Sequence, residues 1–239
     1  MGMGLLMTNG SQAAEIRAFF TGAANRCLET LLPRFEKASG HKVVGLYELP
    51  PSLVKRVDAG EPFDVLVLSY DVEPLVKKGQ LAPNSRTPLG SIGIGVAVKQ
   101  GAPKPDFSSV EAFKRMLLNA KSFATSGEGS SGRYVDGLID KLGIPEVKAK
   151  IKSGGPGASA KLLSRGEVDF VVSGLPPLLG TPNIEWLGYL PEEINNWLLF
   201  SGGLSVNAKQ AEAGRALLAY LASPAAADVW KDNGLEPVK

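Results

Sequence analysis

From Glu15 onward, short apolar runs alternate with amphipathic stretches, and this alternation predicts the elements of the chain. Ile16 to Phe20 reads as a strand, and Thr21-Gly22-Ala23-Ala24-Asn25 as the turn that follows it. Leu28, Leu31, Leu32 and Phe35 then recur at helical spacing, and the helix ends at Gly40. Lys42 to Tyr47 is a second strand. Ser52 is placed to cap a helix bearing Leu53, Val54 and Val57, which stops at Ala59-Gly60. The uninterrupted, β-branched run from Asp64 to Ser69 fits a parallel strand covered on both faces, and a helix from Val72 to Lys78 follows it.

A second block opens with Ile92 to Val98, a strand relaxed by glycines, and Val110 to Asn119 reads as a helix. Ser122 to Thr125 leads into Ser126-Gly127-Glu128-Gly129-Ser130-Ser131-Gly132-Arg133-Tyr134, which opens a helix marked by Val135, Leu138, Ile139 and Leu142. After Lys150-Ile151-Lys152 comes a glycine loop, Ser153 to Gly157, then a helix through Ala160, Leu162 and Leu163 that Gly166 ends. Asp169 to Ser173 is another buried strand. Leu198 to Val206 is strand-like but broken by Ser201-Gly202-Gly203, and two helices close the chain, Ala213 to Ala222 and one through Ala227 and Trp230. Repeated strand–turn–helix units predict an α/β fold with a parallel sheet and ligands bound outside the carboxyl ends of its strands.

The chemistry of those ends is that of an anion site. Small residues at a helix start leave backbone N–H groups exposed, and their partial positive charge favours an anion. Ser130 and Ser131 add hydroxyls there, and Arg133 adds a planar fork matched to a carboxylate or oxyanion. Thr21-Gly22, the turn before Ser52, and Ser69 are three further strand ends with small or hydroxyl residues. The glycine loop has neither a P-loop Lys-Ser/Thr pair nor the dinucleotide glycine spacing, and Gly157 is read as part of a helix start offering N–H groups.

Composition removes alternatives. Across 239 residues the formal charge is +2, too small and too evenly spread for a nucleic-acid or membrane surface. Cys27 is the single cysteine and is expected to be a small buried residue; His41 is the single histidine and is expected to be a solvated turn residue. A Ser-His-Asp triad, a cysteine or multi-histidine metal site and a bound cofactor are therefore not expected. No stretch is long enough for a membrane-spanning helix. Met1 to Met7 is apolar without Lys or Arg, and Ser11-Gln12-Ala13 gives a small-x-small pattern. Residues 1–14 thus read as an N-terminal extension or the remnant of a secretory signal, without a complete export signal.

Two passages carry a family resemblance. Leu53-Val54-Lys55-Arg56-Val57-Asp58-Ala59-Gly60-Glu61-Pro62-Phe63-Asp64-Val65 and Leu217-Leu218-Ala219-Tyr220-Leu221-Ala222-Ser223-Pro224-Ala225-Ala226-Ala227 resemble type II periplasmic solute-binding proteins. Within that group the chain is similar to the molybdate-binding proteins of bacterial ABC importers. The resemblance implies two α/β lobes enclosing a ligand, residues 15–90 plus 200–239 and residues 91–199, joined by crossings near Ser91–Val98 and Leu198–Val206. It also implies a periplasmic location, a monomer and an ABC permease as partner.

The ligand residues depart from that resemblance. Ala23 stands where the family has a serine, Pro50-Pro51 precede Ser52, and Ser173 stands in place of a tyrosine. A tetrahedral dianion needs a full ring of donors, because each unpaired group in a closed cleft costs about 1–3 kcal/mol. The expectation is therefore a solute-binding protein for a small anion, an organic carboxylate rather than molybdate. Its expected binding residues are Thr21, Gly22, Ala23, Ser52, Ser69, Ser130, Ser131, Arg133, Gly157 and Ser173. The alternative is an enzyme resembling aconitate isomerases, with Arg133 over the carboxylates and Glu128 as the nearest base. A regulatory ligand sensor ranks last, since nothing before Ile16 has room for a helix-turn-helix.

Overall fold

The apolar run after Ala14 folds as strand β1, Glu15–Thr21, because Ile16, Ala18 and Phe20 on one side and Phe19 on the other all find cover. The computed structural model describes residues 13–153 and 157–236. β1 pairs in parallel with β2 (Lys42–Glu48) from Glu15↔Lys42 to Thr21↔Glu48, and with β3 (Val65–Leu68). Helix α1, Asn25–Ser39, buries Cys27, Leu28, Leu31 and Phe35 and ends at Gly40, whose φ of 75° is the left-handed cap that glycine takes without strain. Helix α2 spans Pro50–Asp58 and α3 spans Glu73–Lys77.

Ser52 does not cap α2. The helix begins earlier, with Leu49 as cap and Pro50 in the first turn, where a missing N–H leaves nothing unsatisfied. His41 is not a solvated turn residue either: it is buried, its Nδ1 accepts the backbone N–H of Ala14 at 3.2 Å, and its ring lies 6.1 Å from that of Phe35.

The predicted strand Ile92 to Val98 is two strands, β4 (Thr87–Ile92) and β5 (Ile94–Lys99), parted at Gly93. A Cβ on Gly93 would sit 2.7 Å from Cδ1 of Tyr189, so the break is also a point of close packing. Helix α4 (Val110–Asn119), β6 (Phe123–Ala124), α5 (Ser130–Lys141), β7 (Ile151–Lys152), α6 (Ala158–Arg165) and β8 (Phe170–Gly174) follow. Next come β9 (Ile184–Tyr189), β10 (Leu198–Leu204), α7 (Ala211–Leu221) and α8 (Pro224–Asp232).

The strands form two sheets, ordered β2-β1-β3-β10-β4 and β7-β6-β8-β5-β9. Each is mixed rather than parallel throughout: β10 runs antiparallel to β3 and β4, and β5 antiparallel to β8 and β9. The chain passes between sheets at Gly93 and again between β9 and β10. The glycines of β10 are inside the first sheet, not at that passage. Gly202 admits Cδ2 of Leu218 and Gly203 admits Cδ1 of Leu81, each at under 3 Å from where a Cβ would stand. Strand β9 escaped the sequence reading because all six of its residues are half-buried and show no alternation.

Asp64 ties the first sheet to the end of the chain. Its buried carboxylate accepts the N–H of Arg17 at 2.8 Å and that of Gln210, the residue before α7, at 2.9 Å. Its own carbonyl accepts from Ser205 N. Among the described residues no helix is long and apolar enough to cross a membrane.

Candidate functional site

The carboxyl ends of β1 and β3 face the starts of α5 and α6 across a cavity of about 220 Å³. This is where an open α/β sheet is expected to hold a ligand. Thr21 closes β1 and Ser69 follows β3; both are buried, with their hydroxyl oxygens 3.3 Å apart. Ser69 Oγ in turn lies 2.8 Å from Ser130 Oγ, so a row of three hydroxyls crosses from one sheet to the helix of the other. A second row runs behind it: Ser126 to Ser131 at 2.7 Å, and Ser131 to the fully buried Ser173 at 3.3 Å.

The start of α5 is shaped by two glycines. Gly127, with φ of 57°, folds the loop back, and Gly132 lets the Gly127 carbonyl reach the helix where a Cβ would collide with it. Ser126 Oγ accepts the N–H of Gly132 at 2.7 Å, and Arg133 N donates to Gly129 O at 3.0 Å. The N–H groups of Ser130 and Ser131 are left at the cavity wall with no hydrogen-bond partner among the described residues, which suits an anion. Gly157, φ 73°, is the N-cap of α6 and also borders the cavity.

The cavity brings together Thr21, Gly22, Ala23, Ser69, Ser130, Ser131 and Gly157 of the expected set, with Ser173 one hydroxyl behind Ser131. It does not bring in Ser52, which is exposed on α2. Arg133 is also absent from the wall. It is exposed, and its guanidinium carbon lies 5.7 Å from the centre of the Tyr70 ring, a cation–π distance. Burial pushes the Tyr70 phenol up, against the opposing pull of Arg133. Glu128 is exposed and outside the wall. Residues 1–12 of the N-terminal segment, and Gly154 to Pro156 of the glycine loop, lie outside the described residues.

Sequence reasoning missed much of the wall. Asn25 and Arg26 come from the first turn of α1, and Leu49, Pro50, Ile92, Pro176, Pro177 and Leu179 supply apolar surface. Arg26 is the one charged residue among the described residues that line the cavity. Its Nη1 donates to Leu179 O at 3.2 Å and its Nε to Asn233 Oδ1 at 3.4 Å. The Pro176-Pro177 pair, just past the end of β8, is a sequence signal of a shaped wall there. A larger groove of about 710 Å³, beside α4, lies away from these strand ends; its Lys104 is paired with Glu185 and its Arg115 with Asp106.

Comparison with known proteins agrees with this architecture. Residues 16–236 match the family model described as bacterial extracellular solute-binding protein. The chain is 34% identical over 230 residues to an aconitate isomerase of a Pseudomonas species, covering 91% of this chain and 86% of that protein. It is 25% identical over 244 residues to the molybdate-binding protein ModA of Azotobacter vinelandii, covering 98% and 94%. The solved periplasmic molybdate-binding protein of Azotobacter vinelandii superposes with a TM-score of 0.74 at 15% identity, covering 94% of this chain and 100% of that one. The two-sheet architecture, the cavity between the sheets and the match across residues 16–236 place the chain in the bacterial extracellular solute-binding protein family, with the type II fold of the ModA-like anion binders.

Proposed function

We propose that the chain binds a small organic polycarboxylate of the aconitate class. The observation that carries this is the mixed lining of the cavity. Hydroxyls, free N–H groups and Arg26 share the wall with Ala23, Leu49, Pro50, Ile92, Pro176 and Leu179. A bare tetrahedral oxyanion needs donors on every side, and those facing apolar surface would go unpaired. A carboxylate with a carbon skeleton matches both kinds of surface. No Asp or Glu stands among the described lining residues to repel it. The likeness to a protein named aconitate isomerase supports the same ligand class. Family membership supports capture outside the cytoplasm and delivery to an ABC permease.

Calorimetric titration with cis- and trans-aconitate, citrate and tricarballylate, against molybdate and tungstate, tests the reading. Tight molybdate binding with no carboxylate binding would overturn it.

The same relative favours a second reading, isomerisation of the bound ligand. The reaction removes a proton from one carbon, shifts the double bond and returns a proton two carbons away. Since no carboxylate or imidazole lines the cavity among the described residues, the hydroxyl row Thr21–Ser69–Ser130 would have to move that proton. Ultraviolet absorbance of trans-aconitate incubated with the protein decides between binding alone and turnover.

A further inference from the structure

Arg26 is placed unlike an ordinary exposed helix residue. It sits in the first turn of α1, on the first sheet's side, yet its guanidinium reaches the Leu179 carbonyl in the segment after β8 of the second sheet. Gly180 makes that reach possible: its φ of 76° turns the chain, and a Cβ there would collide with Nη1. Both acceptors Arg26 holds, Leu179 O and Asn233 Oδ1, are neutral, and no carboxylate pairs with it among the described residues. A guanidinium has five N–H donors in one plane, so the two on Nη2 have no partner among the described residues. Among the described lining residues Arg26 is thus the one cation, held by neutral groups through Nε and Nη1, with Nη2 unengaged.

We infer that Arg26 is the carboxylate-recognising residue of the cavity and couples ligand capture to joining the two halves. A ligand carboxylate takes the Nη2 N–H groups while Nη1 keeps the Leu179 carbonyl, so one planar group grips the ligand from one lobe and the chain of the other. A second carboxylate then meets the Ser130 and Ser131 N–H groups. The site therefore selects ligands with at least two carboxylates. This rests on the polycarboxylate reading of the cavity.

The test uses tricarballylate, which carries three carboxylates and has no double bond to shift. Calorimetry compares the unaltered protein with R26Q, R26K and, as a control for lost surface charge, R115Q. The expected result is at least a 30-fold loss for R26Q, a smaller loss for R26K, and a change within twofold for R115Q. The salt dependence of affinity should be shallower in R26Q and unchanged in R26K. Tight binding by the unaltered protein with R26Q within twofold would overturn the role of Arg26 and leave the cavity reading standing. Equal losses in R26Q and R26K with an unchanged salt slope would overturn it too, by making Arg26 a neutral latch. Failure of the unaltered protein to bind any polycarboxylate would instead overturn the cavity reading itself. Thermal melts of each variant exclude misfolding, and R26K supplies the comparison if R26Q is unstable.

Discussion

Ser69 Oγ lies 2.8 Å from Ser130 Oγ, and this hydroxyl pair joins the end of β3 to the first residue of α5 across the cavity. Either hydroxyl can be the donor in this pair, and each can turn its proton to another acceptor. An anion that enters takes both as donors and exchanges one neutral hydrogen bond for two charge-assisted ones, which are roughly twice as strong. Ser69→Ala and Ser130→Ala should each weaken ligand binding by about tenfold, near 1.4 kcal/mol. In a double-mutant cycle the two losses should not add, because each variant also frees the other hydroxyl from its partner. Calorimetry on the two single variants and the double variant measures this directly.

Arg133 is exposed and stands on Tyr70, three residues along α5 from Ser130, rather than in the wall. An exposed charge beside a site mainly steers encounter. Arg133→Ala should slow association by about two- to fivefold and leave dissociation unchanged, with the difference vanishing in high salt. Stopped-flow fluorescence at two ionic strengths checks it; a slowed off-rate would put Arg133 in contact with ligand.

Gly132 gives way to the Gly127 carbonyl, so Gly132→Ala must push the loop from Ser126 to Gly129 off the start of α5. Overpacking of this kind costs about 1–3 kcal/mol of stability. Ligand affinity should fall further than stability does, because the same loop holds Ser126 against Ser131 and Gly132. Urea unfolding and titration on one variant separate the two effects.

Cys27 is buried in α1, and burial pushes its thiol up to about 12 from 9.0. A folded-state value above the unfolded one means that its contribution is intact below pH 9.0 and is lost as pH climbs towards 12. The unaltered protein should therefore lose stability over that window more steeply than Cys27→Ala. Denaturant midpoints at pH 8, 9.5 and 10.5 compare the slopes. An aromatic disulfide reagent at pH 8 should react with Cys27 only in denaturant.

Asp64→Ala leaves the N–H groups of Arg17 and Gln210 without their carboxylate, at a buried junction of β1 and α7. The expected loss is about 1.5–3 kcal/mol for each charge-assisted bond that water cannot replace. Amide hydrogen exchange should show the loosening first at α7, whose N-terminal turn follows Gln210.

Periodicity made most of the fold legible, because Leu28, Leu31 and Phe35 or Leu138 and Ile139 can only repeat that way on a buried helix face. The hydroxyl lining of the cavity was legible for a related reason: strand ends carrying Thr21 and Ser69, and a helix start carrying Ser130, are where an α/β sheet holds its ligands. The apolar lining was not. Leu49, Pro50 and Ile92 look the same in sequence whether they line a cavity or fill a core. Arg26 was hidden for the opposite reason, since a cation beside Asn25 on an amphipathic helix reads as solvated surface. Its role depends on Leu179, 153 residues away. The glycines of β10 were misplaced because a sequence does not distinguish glycine that bends a strand from glycine that admits a neighbour's side chain.

The position of β10 also bears on how the chain is made. The strands of the second sheet all lie between Phe123 and Lys152, or within Ile94–Lys99, Phe170–Gly174 and Ile184–Tyr189, so they are complete once Tyr189 has left the ribosome. The first sheet must wait, since β3 and β4 are joined only through β10 and Asp64 only then finds Gln210. Domains assemble as their parts emerge. The half of the molecule begun first is thus finished last, and a nascent chain arrested after β9 would present β3 and β4 as open edges to whatever chaperone or neighbouring strand is at hand.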